Sequence, residues 1–263
     1  MKPRLRIVHN LARSGSTLMC KCLGCMDGVV LLSEIHPAAG HLFNPLQQAH
    51  EWFGLLTQAD RAALAAAGGR IGFADAIALI ARRCGEQGRH LVLRDWAHLD
   101  FTGVPFLDRP GYRMSLYEGL KGGFDILRVA TVRHPIDQWL SLGQLALFQA
   151  PMADGRLTVE GFLDGYLRFA RLGAEFGFVR YEDFTRDPNG VMADLCSRLD
   201  VPFDPAFIDR WHRYATITGD VRGTRGGTRI KPLTRRADDP ALLERFRACP
   251  AHGEALALLG YDD

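Results

Sequence analysis

The sequence predicts an α/β protein in which a mainly parallel central sheet is flanked by helices. Short apolar runs typical of buried strands alternate with longer segments of helical pattern along the 263 residues. A polar, glycine-containing turn joins the first predicted strand to the first helix, where open α/β sheets commonly bind ligands. The length suits one large domain. We therefore expect a single domain over residues 1–263, with a basic, flexible segment at 219–236.

The first third of the chain begins with a predicted strand, a turn and a helix. Residues 4–11 are mostly apolar and predict a buried strand, and residues 17–26 predict the helix that follows the turn. The apolar run VVLLSE, at 29–34, predicts a second strand. Residues 46–88 have an alanine-rich helical pattern that two glycines at 68–69 interrupt.

The rest of the chain continues the alternation of strands and helices. Three further apolar runs predict strands at 90–96, 124–133 and, in the sequence GFVRYEDF, 177–184. Helices are predicted from Pro135 towards Phe148, where proline suits the first turn, and over 159–176 and 191–199. Because helices connect successive strands, the chain is built from βαβ units and its sheet is mainly parallel.

Composition and charge exclude several classes of protein. The formal net charge of +2 is too small to indicate a nucleic-acid-binding protein. The apolar run near the N-terminus is broken by His9 and Asn10 before it could form a signal-peptide core, and no apolar stretch approaches the roughly 20 residues that span a bilayer. We expect a soluble, cytoplasmic protein without nucleic-acid or membrane partners, and the sequence does not indicate its oligomeric state.

The six cysteines do not predict a metal site. Cys20, Cys22 and Cys25 lie close together, but their spacing distributes the thiols around the first predicted helix. A metal site would require a fourth ligand and a loop that gathers the sulfurs. We expect buried free thiols and no bound metal.

The turn NLARSGSTLM, at 10–19, is built like a phosphate-binding loop. The first N–H groups of a helix have no intrahelical partners and lie at the positive end of the helix dipole, so they attract anions. Arg13 adds a charge, Gly15 allows close backbone approach, and the hydroxyls of Ser16 and Thr17 add donors. The alternative is an ordinary N-cap, because serine and threonine favour that position in any helix.

Other polar side chains follow the predicted strands at the same edge of the sheet. Ligands in open α/β sheets bind beyond the carboxyl ends of the strands. The residues at or just past those ends are Arg13, Glu34, Arg94, Arg133 and Tyr181. The sequence therefore predicts that these five side chains share one site.

The segment TVRHPIDQWLSL, at 131–142, carries a second candidate anion site. Arg133 follows a predicted strand, and Ser141 lies about two turns into the next helix. A guanidinium offers a planar fork of donors that suits a phosphate. The alternative is a surface arginine and a serine that faces solvent.

Three segments together resemble the sulfotransferases that use 3′-phosphoadenosine 5′-phosphosulfate (PAPS). RSGSTLM resembles the 5′-phosphosulfate loop of that family, VRHPIDQWLS its 3′-phosphate motif, and VRYEDFTRDP a later Tyr-Glu-Asp segment. The order and spacing agree, and the resemblance extends over residues 7–188. It implies a P-loop-like sulfotransferase fold, an enzyme that transfers a sulfonate group by in-line displacement, and PAPS as cofactor with PAP as product.

The resemblance also implies roles for individual residues. Those implied to hold the 5′-phosphosulfate are Arg13, Ser14, Gly15, Ser16 and Thr17. Those implied to hold the 3′-phosphate are Arg133 and Ser141, with Tyr181 near the adenine. A late basic segment closes over the 3′-phosphate in many family members, and here the candidates are Arg222, Gly223, Arg225 and Arg229. These basic residues could instead face an acidic substrate or water.

A base must take the proton from the acceptor as its oxygen attacks sulfur. Glu34 is our candidate, because family members with Arg before Ser-Gly often carry a glutamate after the second strand. His36 and His98 are alternatives, although RDWAHLD around His98 does not match the Lys-x-His pattern of members that use histidine. Arg94, with Arg13, could stabilise the leaving group. A structural ion pair between Arg94 and Asp95 is the alternative.

Two other functions remain open at this point. An ATP-dependent kinase of P-loop type requires G-x-x-x-x-G-K-[ST], but Asn10 stands at the first glycine and Ser16 at the lysine. A non-catalytic nucleotide-binding protein on the same fold is the second.

For a sulfotransferase, residues 35–73 and 101–121 are expected to line the acceptor side. The acceptor, a hydroxyl rather than an amine, could be on a small molecule, a carbohydrate or a peptide.

Overall fold

A parallel five-stranded sheet forms the centre of the fold, with the strand order β2-β3-β1-β4-β5. The computed structural model of the chain describes residues 2–107, 109–220, 227–234 and 239–262. The strands are β1 Arg4–Asn10, β2 Val29–Ile35, β3 His90–Asp95, β4 Asp125–Val132 and β5 Phe178–Arg180. The pairs β1/β3, β1/β4, β2/β3 and β4/β5 are all parallel. The predicted fold class, an α/β protein with a parallel sheet between helices, is confirmed.

The helices connect the strands and cover both faces of the sheet. In chain order they are α1 Ser16–Gly24, α2 Pro45–Glu51, α3 Gln58–Ala66, α4 Phe73–Glu86, α5 His98–Phe101, α6 Ser115–Leu120, α7 Pro135–Leu142, α8 Ala146–Ala153, α9 Val159–Phe176, α10 Tyr181–Arg186, α11 Pro188–Arg198, α12 Phe207–Arg210, α13 Pro240–Ala248 and α14 Pro250–Leu259. Within the described ranges, no helix is long and apolar enough to cross a membrane.

Successive residues of the central strand face different hydrophobic layers. Val8 of β1 packs in one cluster with Leu195 of α11, whereas Ile7 packs in another cluster with Ile77 of α4. This alternation follows from the two-residue period of a strand, and burial on both faces explains why the strands are rich in apolar residues. The carboxyl ends of the parallel strands consequently meet at one edge of the sheet.

Three element boundaries differ from the prediction. The helix that begins at Pro135 ends at Leu142 rather than Phe148, because the backbone is extended at Leu145 before α8 begins. The segment at 46–88 divides into three helices. The last strand is three residues long, since the chain turns into α10 at Tyr181.

The cysteines are free, as predicted. Cys20 and Cys22 are buried on α1, and Cys25 is partly exposed at its end. Burial raises the pKa of the Cys20 thiol to about 11, because an apolar environment disfavours the thiolate.

Candidate active site

A cleft with a volume of about 820 Å³ opens at the carboxyl edge of the sheet. Its lining includes one residue at or near the carboxyl end of each of β1, β2 and β3. They are Asn10, Glu34 and Arg94. The residues singled out from the sequence that line it are Arg13, Gly15, Ser16, Thr17, Glu34, Arg94, His98, Arg133, Ser141, Tyr181 and Arg229. Parallel strands thus bring together side chains that are far apart in the chain.

The turn before α1 depends on a glycine. Gly15 is the N-cap of α1 and has a φ of 86°, in the left-handed region that favours glycine. A Cβ atom at this position would overlap the aromatic ring of Tyr181. The glycine therefore lets the turn close against that ring, with the first N–H groups of α1 at the cleft.

Ser14 differs from its expected role. Its side chain is fully buried, and its hydroxyl lies 3.1 Å from the hydroxyl of Thr131 on β4. Its backbone N–H donates to the carbonyl of Leu11. Ser14 thus joins the turn to β4 through its hydroxyl and does not line the cleft.

Arg94 organises the polar half of the cleft. Its guanidinium donates to Oγ1 of Thr17 at 3.0 Å and to Oγ of Ser33 at 3.0 Å. Its Nη2 atom also lies 3.7 Å from Oε1 of Glu34. The side chain is almost completely buried, so this planar fork joins the turn before α1 to the end of β2.

The alternative pairing of Arg94 with its neighbour is wrong. Asp95 points in the opposite direction, as successive residues of a strand do, and its Oδ2 atom lies 2.5 Å from Nδ1 of His9. Burial raises the pKa of the Asp95 carboxyl, because both partners are completely enclosed.

Glu34 occupies an unusual backbone position. Its φ is 56°, and the pairing of β2 with β3 shifts register between Leu32 and Ile35. Such a bulge re-aims a side chain at the expense of local backbone strain. The side chain of Glu34 is 15% exposed, and its carboxylate lines the cleft beside Arg94.

The second candidate anion site lies at the end of β4. In the sheet, β1 separates this strand from β3, which carries Arg94. The guanidinium of Arg133 stacks over the ring of Tyr181, 5.0 Å from its centre. Its Nε atom is buried and has no hydrogen-bond partner in the described part of the chain. Ser141 accepts a hydrogen bond of 2.8 Å from Nε of Arg13. This serine therefore faces the cleft rather than solvent, and it joins the two motifs.

The two histidine alternatives have different surroundings. His36 does not line the cleft: its Nδ1 accepts from the N–H of Ala38 and its Nε2 lies 3.3 Å from Asp100, which favours Glu34 over His36 as the candidate base. His98 does line the cleft, and its Nε2 donates to the carbonyl of Val104 at 2.8 Å. Burial lowers the pKa of His98 to about 4.

The late basic segment contributes part of the lining. Arg222, Gly223 and Arg225 fall outside the described residues. Arg229 and Lys231 line the cleft, and the sequence analysis did not single out Lys231.

A buried ion pair holds the beginning of this basic segment against α1. Asp220 lies 2.8 Å from Nζ of Lys21, a residue of α1 whose side chain is 1% exposed. The neighbouring Thr218 bonds to Ser33 through their hydroxyls, at 2.7 Å. The sequence provided no signal for these contacts, since the partners are nearly 200 residues apart.

Much of the remaining lining of the cleft is apolar. Its hydrocarbon lining is formed by Leu42, Phe43, Trp96, Phe106, Leu140, Leu145, Leu147, Phe148 and Leu233. Three of these come from the ranges expected on the acceptor side, 35–73 and 101–121, and others come from α7 and α8. Within the described ranges, no group of three or more His, Cys, Asp or Glu side chains is placed to hold a metal ion.

Comparisons with known proteins identify the fold. No protein-family model matches the sequence, and no curated protein is detectably similar to it. The structure is similar to the sulfotransferase domain of the olefin synthase from Synechococcus PCC 7002, with a TM-score of 0.60, 22% identity and coverage of 99% of this chain and 95% of that one. It is also similar to the sulfotransferase domain from the curacin biosynthetic pathway, with a TM-score of 0.57, 18% identity and coverage of 97% and 98%. The chain has the sulfotransferase fold.

Proposed function

We propose that the protein is a PAPS-dependent sulfotransferase that transfers a sulfonate group to a hydroxyl. The observation that carries this proposal is the cleft itself, which holds the carboxylate of Glu34 between an anion-binding turn and a buried arginine. The two structural neighbours named above are sulfotransferase domains, which supports the same reaction. A hydroxyl acceptor is proposed in preference to an amine.

The residues of the cleft fit PAPS. The buried Nε atom of Arg133 needs an acceptor, and the 3′-phosphate would provide one. Gly15 is the N-cap of α1 and lines the cleft, so the first N–H groups of this helix lie where they would bind a 5′-phosphosulfate. The proposed contacts of the 5′-phosphosulfate are Arg13, Gly15, Ser16 and Thr17. Those of the 3′-phosphate are Arg133 and Ser141, with Tyr181 beside the adenine.

When bound, PAPS supplies a sulfonate group on a phosphate leaving group. Glu34 would accept the proton that the acceptor hydroxyl loses when it takes up the sulfonate group, with PAP as the leaving group. Arg94 and Arg13 both line the cleft, and as fixed cations they would stabilise the negative charge that develops on the departing nucleotide. The contact of 3.7 Å between Arg94 and Glu34 also orients the carboxylate.

The two alternatives have less support. A P-loop kinase needs a lysine where this chain has Ser16, and the hydroxyl of Ser16 accepts from Arg94 instead. A non-catalytic binding protein would be favoured if Glu34 lay in a salt bridge remote from the nucleotide site. Its ion pair with Arg94 is instead part of the cleft wall.

Replacing Glu34 by glutamine tests the catalytic assignment. Glu34→Gln keeps the side-chain shape and removes the proton acceptor, so we expect turnover to fall by about 10²- to 10⁴-fold. The rate is measured as PAP released from PAPS in the presence of 1-octanol or 2-naphthol. The affinity for PAP, measured by calorimetry, should change by less than about threefold, because the proposed nucleotide contacts remain.

A matched control is Glu254→Gln, which removes an exposed carboxylate on α14. This variant should retain wild-type turnover. Wild-type turnover in Glu34→Gln would exclude Glu34 as the base, and a wild-type protein that binds no PAP would contradict the proposed function.

A further inference from the structure

Resting on the proposed function, we infer that the acceptor is an uncharged alcohol on an apolar body. A sugar or an anionic acceptor does not match the lining of the cleft. Four observations carry this inference: an aromatic wall, a second apolar group from the region of α7 and α8, a set of exposed hydrocarbon side chains, and the balance of charge.

The aromatic wall lies next to the proposed base. Trp96 follows β3, two residues after Arg94, and packs edge-on against Phe43 with ring centres 5.1 Å apart. Phe106 also packs against Trp96, with their ring centres 4.7 Å apart. These rings present a continuous hydrocarbon surface, which suits an apolar ligand rather than one that needs many hydrogen bonds.

A second apolar group comes from the region of α7 and α8. Leu140, Leu145, Leu147 and Phe148 line the cleft there, and the ring of Phe148 packs against His98 at 5.3 Å. The polar Nε2 atom of His98 already donates to a backbone carbonyl. A sugar would therefore find few polar side chains on this side of the cleft.

Large hydrophobic side chains are exposed at the mouth of this cleft. Eight large hydrophobic residues are exposed in the described part of the chain, and four of them line this one cleft. They are Leu42 at 52%, Phe106 at 37%, Leu147 at 50% and Leu233 at 57% exposed. A concentration of exposed apolar side chains around one opening indicates a surface that a ligand covers.

The balance of charge argues against an anionic acceptor. In the described lining, the cations are Arg13, Arg94, Arg133, Arg229 and Lys231, and the carboxylates are Glu34 and Asp137. PAPS carries about four negative charges, from a phosphate monoester and a phosphosulfate. The cofactor therefore offsets the positive charge of this lining, and a further anion would be repelled.

Calorimetry on the PAP-loaded protein tests the inference without requiring turnover. Titration with 1-butanol, 1-hexanol and 1-octanol should show affinity that rises about threefold to fourfold per methylene, as expected for hydrocarbon transferred from water into an apolar site. Glucose should bind more weakly than 1-octanol. 8-Hydroxyoctanoate, which has the same chain length with a carboxylate added, should also bind more weakly.

A pair of variants locates the alcohol site. Leu147→Ser at the mouth should weaken 1-octanol binding about threefold or more, and Leu258→Ser, a 37% exposed residue on α14 outside the cleft, should not. Both positions are exposed, so both variants should fold.

Two results would overturn the inference. One is equal affinity for 1-butanol and 1-octanol, and the other is tighter binding of glucose or 8-hydroxyoctanoate than of 1-octanol. If PAP itself does not bind, the proposed function fails. The alcohol titration of the cofactor-free protein then still determines whether the cleft selects an apolar alcohol.

Discussion

At the scale of single residues, backbone strain coincides with the proposed chemistry. Four residues other than glycine have a positive φ in the described chain, and two of them, Arg13 and Glu34, line the cleft. The left-handed conformation costs an L-residue about 1–2 kcal/mol. Glycine at position 13 or 34 would avoid that cost, but it would remove the guanidinium or the carboxylate from the cleft. The strain at these two positions is therefore consistent with a functional role for the side chains.

The 3′-phosphate assignment makes a prediction at this scale. Arg133→Ala should weaken PAP binding by about 1.5–3 kcal/mol, because a charged hydrogen-bonding partner is lost. Binding of ADP, which lacks the 3′-phosphate, should change much less. Both affinities are measured by calorimetric titration.

The control for this variant is Arg168→Ala. Arg168 is an exposed arginine on α9, paired with Asp164 outside the cleft. Its removal should leave PAP affinity unchanged. If Arg133→Ala binds PAP as tightly as the wild-type protein, Arg133 does not hold the 3′-phosphate.

Site residues could be predicted from the sequence where they stand at the carboxyl ends of strands. Arg94 and Arg133 stand at strand ends, and parallel pairing brings strand ends together. Strand position could not predict where Ser14 points, because neighbouring residues in a tight turn face different directions. Nor could it show that His36 folds back towards Asp100.

At the scale of elements, the turn between β1 and α1 depends on Gly15. Gly15→Ala should lower the free energy of unfolding by at least about 1–2 kcal/mol, because the new Cβ meets both a positive φ and the ring of Tyr181. It should also weaken PAP binding, since the turn presents the N–H groups of α1. Urea denaturation and calorimetry measure the two effects.

Gly253→Ala provides the matched control for Gly15→Ala. Gly253 lies on the exposed side of α14, and a Cβ there has no neighbour within 4 Å. Alanine at a helical position should leave stability unchanged or raise it by about 0.5–1 kcal/mol. Equal effects of the two substitutions would contradict the role given to Gly15.

Element type was easier to predict than element boundaries. The apolar runs of β1, β3 and β4 and the long amphipathic pattern of α9 at Val159–Phe176 agree closely with the structure. The predicted end of α7 was wrong because the apolar residues 145–148 continue the helical pattern, although the backbone is extended at Leu145 and a separate helix follows. Local sequence pattern does not record such a change in direction.

At the scale of the whole molecule, contacts between distant segments complete the site. Thr218 reaches Ser33, and Asp220 reaches Lys21 in a buried ion pair. Sequence patterns describe neighbours along a helix or strand, so they could not show these contacts. They depend on the way the C-terminal part of the chain packs across α1.

Burial of His98 predicts that stability depends on pH. Its pKa is about 4 in the folded protein against 6.5 for the unperturbed side chain, so the unfolded chain binds the proton more strongly. The contribution of neutral His98 to the free energy of unfolding is fully present above pH 6.5 and is lost as the pH falls towards 4. Between pH 7.5 and pH 5, His98 should account for a loss of about 2 kcal/mol in the free energy of unfolding.

His98→Gln isolates this contribution from that of other groups. Its amide can still donate to Val104, but it does not titrate. Urea denaturation at pH 7.5 and pH 5 should therefore show a smaller pH-dependent loss in the variant than in the wild-type protein. An identical loss in both proteins would show that His98 is not the group responsible.

The central claim is that the cleft recognises a nucleotide with a 3′-phosphate, and calorimetric titration with PAP and with ADP tests it most directly. PAP should bind more tightly by about tenfold or more, because its 3′-phosphate meets Arg133 and Ser141. Equal affinity, or tighter binding of ADP, would contradict the proposed PAPS site and favour an ATP-dependent kinase or a non-catalytic nucleotide-binding protein.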